Sequence, residues 1–561
     1  MERKEEGWFE LISPDAGPGT KYQFQINEGI KVPDPASRFQ PRDVHGPSEV
    51  VDPTEFDWQD SNWRGRPWEE TVIYELHVGT FTAEGTFAAV EKRLPYLAEL
   101  GVTAVELMPV ADFPGERNWG YDGVLQFAPD SRYGRPEVLK RLVQAAHQAG
   151  LMMFLDVVYN HFGPEGNYLH TYAPQFFTDR HRTPWGDAIN FDGPDSRTVR
   201  DFFINNALYW LDEFHFDGLR FDAVHALVDD SKPDILTEIA AEVRTRSEAG
   251  RHVHLVLEND NNASRYLRRS DGGAKAYDAQ WNDDIHHSLH VAITGETDGY
   301  YGDYADAPVH HLGRCLTQGF DYQGEPSAFR DGDRRGEPSR DLALTSFVSF
   351  LQNHDQIGNR AFGERIGNLT NKASLRAALT VMLLAPSPPL LFMGEEFNAG
   401  TPFLFFCDFG PDLARAVTEG RRSEFARFAR FSDPAVREQI PDPSATSTFE
   451  KSKLDWGSLA KPEQQEWLKF YRNLLKIRHR EIVPRIQGLT GEAAPFEVVG
   501  EAGLLATWKL RAGEKLHLMA NLSHQPIAAA VPKGGLLYST TEPLDSLDPL
   551  PEWSAAWFLE R

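Results

Sequence analysis

Between residues 71 and 396 the chain alternates two kinds of apolar pattern. Short continuous runs, rich in β-branched and aromatic residues, read as buried strands: TVIYELHVGT, AVELMPV, LMMFLDVVY, GLRFDAV, HLVLEND, AYDAQWN, SFVSFLQNHD and PPLLFMGEE. Between most of them lie stretches whose apolar residues fall three and four apart. FAAVEKRLPYLAELG and PEVLKRLVQAAHQAG both close on glycine, and TVRDFFINNALYWLDEFHFDG places Val199, Phe203, Ala207, Trp210, Leu211 and Phe214 on one helical face. Continuous apolar strands alternating with amphipathic helices predict a parallel sheet covered by helices. Eight such strands predict an α/β fold closed into a (β/α)8 TIM barrel rather than an open sheet.

The flanks read differently. In residues 1–55 the runs GWFEL and YQFQI are separated by the turn-rich PDAGPG and followed by a proline-rich extended stretch. That is too little material for a complete sandwich, so an incomplete N-terminal β-sandwich segment leaning on its neighbour is expected. The barrel with its inserted loops then occupies 56–484, and residues 410–455 read as a long loop or helical excursion after the eighth strand. The last strong helix is PEQQEWLKFYRNLLKIRHREI. Beyond it FEVVG, LLATWKL, KLHLMANLS and AAAVP predict a C-terminal β-sandwich domain over 485–561.

Composition narrows the functional classes. The formal net charge of −26 disfavours nucleic acid and anionic membranes as partners, since both call for clustered Lys and Arg. Two cysteines, Cys315 and Cys407, exclude a disulfide framework and a four-cysteine metal site. MERKEEGWFE lacks a signal-peptide core and no apolar run approaches the roughly 18 residues of a membrane span, so the cytoplasm is the expected compartment.

In such a barrel chemistry gathers at the C-terminal strand ends. There the third strand runs into Asp156, Asn160 and His161, the fourth carries Arg220 and Asp222, the fifth ends at Glu258, and the seventh at His354 and Asp355. Singly, each could be a helix cap or a solvated loop residue. Together they point to a catalytic pocket. Side chains alternate along a strand, so Arg220 and Asp222 share a side, and an arginine one pleat from a carboxylate can hold it ionised and oriented. HExxH, P-loop and GxSxG motifs are missing, whereas paired carboxylates suit glycosidic cleavage, one attacking carbon and the other protonating the leaving oxygen. Glu258 fits the acid and Asp222 the nucleophile. Trp119, Tyr121, Trp281 and Phe405 occupy loop-like positions where sugar rings could stack, or else belong to the core.

DVVYNH, GLRFDAVHA, the strand-borne Glu258 and QNHD resemble, in order, the four sequence regions of the α-amylase superfamily, glycoside hydrolase family 13. Within it NWGYDGV, ENDNNA, AQWNDDIHHSLH, NHDQIGNR and MGEE most resemble the members that release trehalose from maltooligosyltrehalose, over residues 5–561. The resemblance implies a retaining α-glucoside hydrolase acting on maltooligosyltrehalose or related α-glucans. Asp222 would be the nucleophile, Glu258 the acid/base, and Asp355 the residue binding substrate hydroxyls. It implies that Tyr121 stacks on the sugar at the cleavage point, that His161, Arg220, His225 and His354 make polar contacts, and that Asp156 supports them by orienting Arg220. Asn259 and Asp260 would line the leaving-group side, with Trp281 and Phe405 stacking on the departing trehalose; Asn261 and Asn262 could instead cap the following helix. Asn160 resembles a calcium ligand of some amylases, but nothing completes an oxygen shell, so neither metal nor cofactor is expected. A glycogen branching enzyme is the nearest rival. A non-catalytic glucan-binding protein is a third reading, disfavoured by the intact Asp222, Glu258 and Asp355.

Overall fold

The computed structural model describes residues 1–4, 9–268, 276–541 and 548–561. Eight strands pair in parallel and in chain order: β1 (Ile73–Leu76), β2 (Ala104–Leu107), β3 (Met152–Val157), β4 (Gly218–Phe221), β5 (His254–Leu257), β6 (Ala279–Trp281), β7 (Phe347–Phe350) and β8 (Pro389–Phe392). β8 pairs back onto β1 and closes the barrel expected from the sequence. The outer layer includes α1 (Leu94–Leu100), α2 (Pro136–Gln148), α3 (Ser196–Asp212), α4 (Ile235–Arg246), α5 (Asp283–Thr294), α6 (Pro308–Gln318), α7 (Lys372–Leu383) and α8 (Pro462–Ile477).

The two-residue period of the strands sorts the core into two. Tyr74, Leu76, Val105, Leu107, Leu155, Leu219 and Leu255 face the helices, while Ile73, Ala104, Met152, Phe154, Val256, Ala279, Val348 and Leu390 fill the barrel interior. Phe154 reaches across to β4, where a Cβ on Gly218 would lie 2.8 Å from its ring and 2.7 Å from the His254 carbonyl oxygen. Only glycine fits there. One pleat beyond this apolar layer, the same inward parity places Glu75, Glu106, Asp156, Asp222 and Glu258.

The N-terminal segment is joined by two-residue antiparallel pairings, such as Lys21–Tyr22 with Ser48–Glu49 and Phe24–Gln25 with Lys31–Val32. Of the GWFEL run, Phe9–Glu10 pairs with Glu2–Arg3, whereas Gly7 and Trp8 lie outside the described residues. The segment leans on α3, with the Arg38 guanidinium 4.1 Å from the Tyr209 ring centroid and 2.6 Å from Glu213. Residues 411–424 form a helix, which resolves the loop-or-helix alternative for that region.

The C-terminal region is a five-stranded antiparallel sheet with β9 (Phe496–Val499), β10 (Gly503–Lys509), β11 (Lys515–Asn521), β12 (Gly535–Ser539) and β13 (Ser554–Glu560). Where two facing sheets were expected, barrel helices supply the second layer: Trp508 donates its indole N–H to Leu316 of α6 and Trp557 to Thr380 of α7. AAAVP is not a strand; its alanines have weak β preference, and β12 and β13 supply the pairing instead. Among the described residues no helix is long and apolar enough to cross a membrane.

Candidate active site

The charged layer at the mouth of the barrel is organised by Arg220. Its guanidinium is fully buried, 4.2 Å from the centroid of the Trp281 ring. Nη1 donates to Asp156 Oδ2 at 2.7 Å and Asp222 Oδ1 at 2.9 Å, and Nη2 donates to Glu258 Oε2 at 2.8 Å. Carboxylates from adjacent strands thus share one cation, the arrangement for which a planar fork is suited. Asn160 Nδ2 donates to Asp222 Oδ2 at 2.7 Å and to its carbonyl oxygen at 2.9 Å, so Asp222 is oriented through both carboxylate oxygens. Asn160, which resembles a calcium ligand of some amylases, here has its amide turned onto Asp222.

Glu258 also accepts the Ala223 N–H at 2.9 Å. Ala223 has φ 39°, ψ 48°, a left-handed conformation that costs a residue with a β-carbon about 1–2 kcal/mol. The strained turn after Asp222 therefore aims a backbone donor at Glu258. Both donors fall on Oε2, and Oε1 has no hydrogen-bond partner among the described residues.

A relay runs behind Arg220. His354 Nδ1 meets Glu75 Oε1, while Nε2 lies 2.8 Å from Tyr121 Oη and 3.4 Å from Asp355 Oδ2. Burial opposes protonation of this ring, but Asp355 and Glu75 outweigh it and push its pKa up to about 9. At neutral pH His354 is a cation donating from both nitrogens. Tyr121 Oη accepts one of these bonds and donates to Asp156 Oδ2 at 2.7 Å. Burial, offset by Arg220 and reinforced by Asp222, pushes the Asp156 carboxyl up to about 7. Glu106 lies beneath, with neither oxygen hydrogen-bonded; burial and the charges of Glu75 and Asp156 raise it well above the usual carboxylate range.

Two hollows lie beside these residues. One, of about 700 Å³, runs from His161 beneath the hairpin of Phe177–Thr183 and Gly186–Ile189. At its edge Trp185 stacks on the His161 ring at 4.2 Å, 3° from parallel, and stays 49% exposed. Burial lowers the His161 pKa to about 4, leaving a neutral imidazole whose Nδ1 meets Asn160 Oδ1. The other hollow, about 270 Å³, is bounded by Glu258, Asp355, His225, Asp260, Asp283 and Tyr300 among others. Arg330 and Arg335 both reach Asp260 there.

Most sequence-predicted residues therefore converge: Tyr121, Asp156, His161, Arg220, Asp222, Glu258, His354 and Asp355 form one constellation, with His225 and Asp260 on its wall. Four expectations change. Trp281 is 1% exposed inside the barrel beneath Arg220, so it cannot stack on a sugar; its strand extends through it instead of ending before it. Asn259 is buried, its Oδ1 taken by the Asn261 N–H at 3.0 Å, making it a turn former rather than a wall residue. Phe405 packs edge-on against Trp119, which is buried, with Arg421 over its ring, and it is not among the residues bounding the 270 Å³ hollow. Asn261 and Asn262 do not cap the next helix: the first accepts from Arg330 at 2.8 Å and the second donates to Asp284 at 2.9 Å. Sequence reading missed Glu75, Trp185, Asp283, Arg330 and Arg335. Glu75 and Glu106 carried a signal, being acids at the inward parity of otherwise apolar strands.

Residues 51–206 match the family model for the α-amylase catalytic domain, and 491–557 match a domain of unknown function, DUF3459. Barrel and site together define a glycoside hydrolase of the α-amylase type. The Malto-oligosyltrehalose trehalohydrolase of Deinococcus radiodurans is 45% identical over 85% of this chain and 77% of its own, and that of Saccharolobus solfataricus is 43% identical over 85% and 81%. The chain belongs to the malto-oligosyltrehalose trehalohydrolase family. A crystal structure of a Salmonella typhimurium protein described as an alpha amylase superposes with TM-score 0.94 at 44% identity, covering 100% of this chain and 94% of that one.

Proposed function

We propose that the chain hydrolyses the α-1,4 bond next to the trehalose end of maltooligosyltrehalose, releasing trehalose and a maltooligosaccharide with retention of configuration. The observation that carries this reading is the single guanidinium joining Asp222 to Glu258 beside an open hollow. In the first step an Asp222 oxygen bonds to C1 of the sugar while the C1–O bond breaks. Its electron pair goes to the leaving oxygen, which takes the proton of Glu258. In the second, Glu258 removes a proton from water, the water oxygen bonds to C1, and Asp222 is released as carboxylate. Asp355 binds ring hydroxyls at the cleavage point, and Tyr121, held by His354 and Asp156, supports that ring. The glycone runs past His161 and Trp185, and trehalose leaves through the hollow walled by Asp260 and His225. Malto-oligosyltrehalose trehalohydrolases are the relatives at 38–45% identity, against 29% for a branching enzyme of Vibrio cholerae. The free, buried thiols of Cys315 and Cys407 are in keeping with the cytoplasm as compartment. Incubation with maltooligosyltrehalose tests the proposal. Free trehalose supports it; new α-1,6 branches in amylose, or binding without turnover, overturns it.

A further inference from the structure

We propose that Glu75, buried beneath the cleft, is a positioning residue that keeps the His354 ring doubly protonated and so fixes the direction of the hydrogen-bond chain running to Asp156 and Arg220. Its kinetic consequence rests on the hydrolysis proposed above. Glu75 is 1% exposed on the inward face of β1, and both of its oxygens go to one residue. Oε1 lies 2.5 Å from His354 Nδ1, and Oε2 accepts the His354 backbone N–H at 3.1 Å. The bland alternative is a staple that seats the segment after β7 against β1. The bonds beyond the ring require more than a staple.

The hydrogen positions follow from the oxygens already occupied. Asp156 Oδ2 accepts a charge-assisted bond from Arg220 Nη1 at 2.7 Å, a place for a carboxylate or carbonyl oxygen rather than a hydroxyl. The 2.7 Å bond between Asp156 and Tyr121 is therefore donated by the tyrosine, which uses its single hydroxyl proton. Tyr121 Oη must then accept from His354 Nε2, 2.8 Å away, while Nδ1 donates to Glu75. Both ring nitrogens carry hydrogen, so the ring is an imidazolium, with Asp355 Oδ2 3.4 Å from Nε2. A buried cation needs a counter-charge held against it. His77 and His161 are also buried, and neither is hydrogen-bonded to a carboxylate among the described residues; burial lowers their pKa to about 4. Against the same burial, Asp355 and Glu75 hold His354 at about 9. The other charged groups around the ring are Glu106 from β2, Arg220 from β4, which opposes the charge, and His77 after β1. The Trp119 and Trp281 rings lie 5.6 and 6.0 Å away. Asp355 opens to the 270 Å³ hollow, so Glu75 is the carboxylate sealed against the ring.

Two measurements test this. The first is the pH profile of kcat/KM on maltooligosyltrehalose for the wild type, Glu75→Gln and Glu75→Asp. The second is NMR of ring-labelled histidine, with the His354 signals assigned by their loss in His354→Asn. Glutamine keeps the size of the side chain and an acceptor for Nδ1 but removes the charge. It should move the alkaline limb to lower pH by about one unit, a loss of about tenfold above it, with a smaller loss below. Glu75→Asp should return the limb toward its wild-type place. At neutral pH both ring nitrogens of His354 should carry hydrogen in the wild type, and only one in Glu75→Gln. Superimposable profiles, or an equal loss at every pH, overturn the inference and reduce Glu75 to a staple. A neutral His354 ring in the wild type overturns it as well, and that result does not depend on the variants folding. The NMR needs no substrate, so a wild type that releases no trehalose sinks the hydrolysis reading alone.

Discussion

Arg220→Lys is the sharpest test of how the site is held. The arginine makes three charge-assisted bonds from two nitrogens pointing in different directions, to Asp156, Asp222 and Glu258. A lysine keeps the charge but presents it from one nitrogen at the end of a flexible stem, and it loses the flat face that lies on Trp281. Hydrogen bonds to charged groups contribute about 1.5–3 kcal/mol each. Losing one or two of the three costs about 1.5–6 kcal/mol, and because they orient the nucleophile and the acid, the loss falls on the transition state. At about 1.4 kcal/mol per factor of ten, kcat/KM should fall by on the order of 10–10⁴. The assay is steady-state trehalose release, with circular dichroism to verify that the barrel is folded. A folded Arg220→Lys variant within tenfold of wild type would show that the shared guanidinium does not organise the reaction.

Glu258→Gln should retain KM while turnover drops by on the order of 10²–10⁴, the usual worth of general acid–base help; a near-normal kcat removes Glu258 from its role. Trp185→Ala removes an exposed face stacked on His161, and stacking worth about 0.5–1.5 kcal/mol predicts a roughly two- to tenfold rise in KM that grows with glycone length. Identical KM values across a length series would place Trp185 off the substrate path. Glu106 is raised above its unfolded value, so the folded state holds a proton the unfolded chain releases, and stability is lost as pH rises through the window above about 4.3. Glu106→Gln should match wild type in acid and become more stable than it above that window, by up to about 1.4 kcal/mol per pH unit; equal melting temperatures at pH 4 and 8 in both proteins would contradict this.

The barrel was legible because its strands are apolar on both faces and its helices on one, two periods that cannot be confused over so many repeats. The pairing of Arg220 with Asp222 was legible for the same reason, since parity along one strand survives folding unchanged. Trp281 was misplaced because only Ala279–Trp281 pair in β6, too few residues to announce where the strand stops. The surroundings of Asp260 could not be read at all, because Arg330 and Arg335, which pair with it, arrive on a distant arm whose docking leaves no local pattern. Glu75 and Glu106 stood in plain parity with Ile73 and Ala104, but attention to strand ends passes over acids in the middle of a run.

The relay from Glu75 through His354, Tyr121 and Asp156 to Arg220 draws on β1, β3, β4 and the segments following β2 and β7. Its members are scattered over some 280 positions of chain, and they meet only once the last stave has been seated against the first. A half-assembled cylinder therefore leaves His354 apart from Glu75, and the support that Tyr121 and Asp156 bring to Arg220 is complete only with the eighth stave in place.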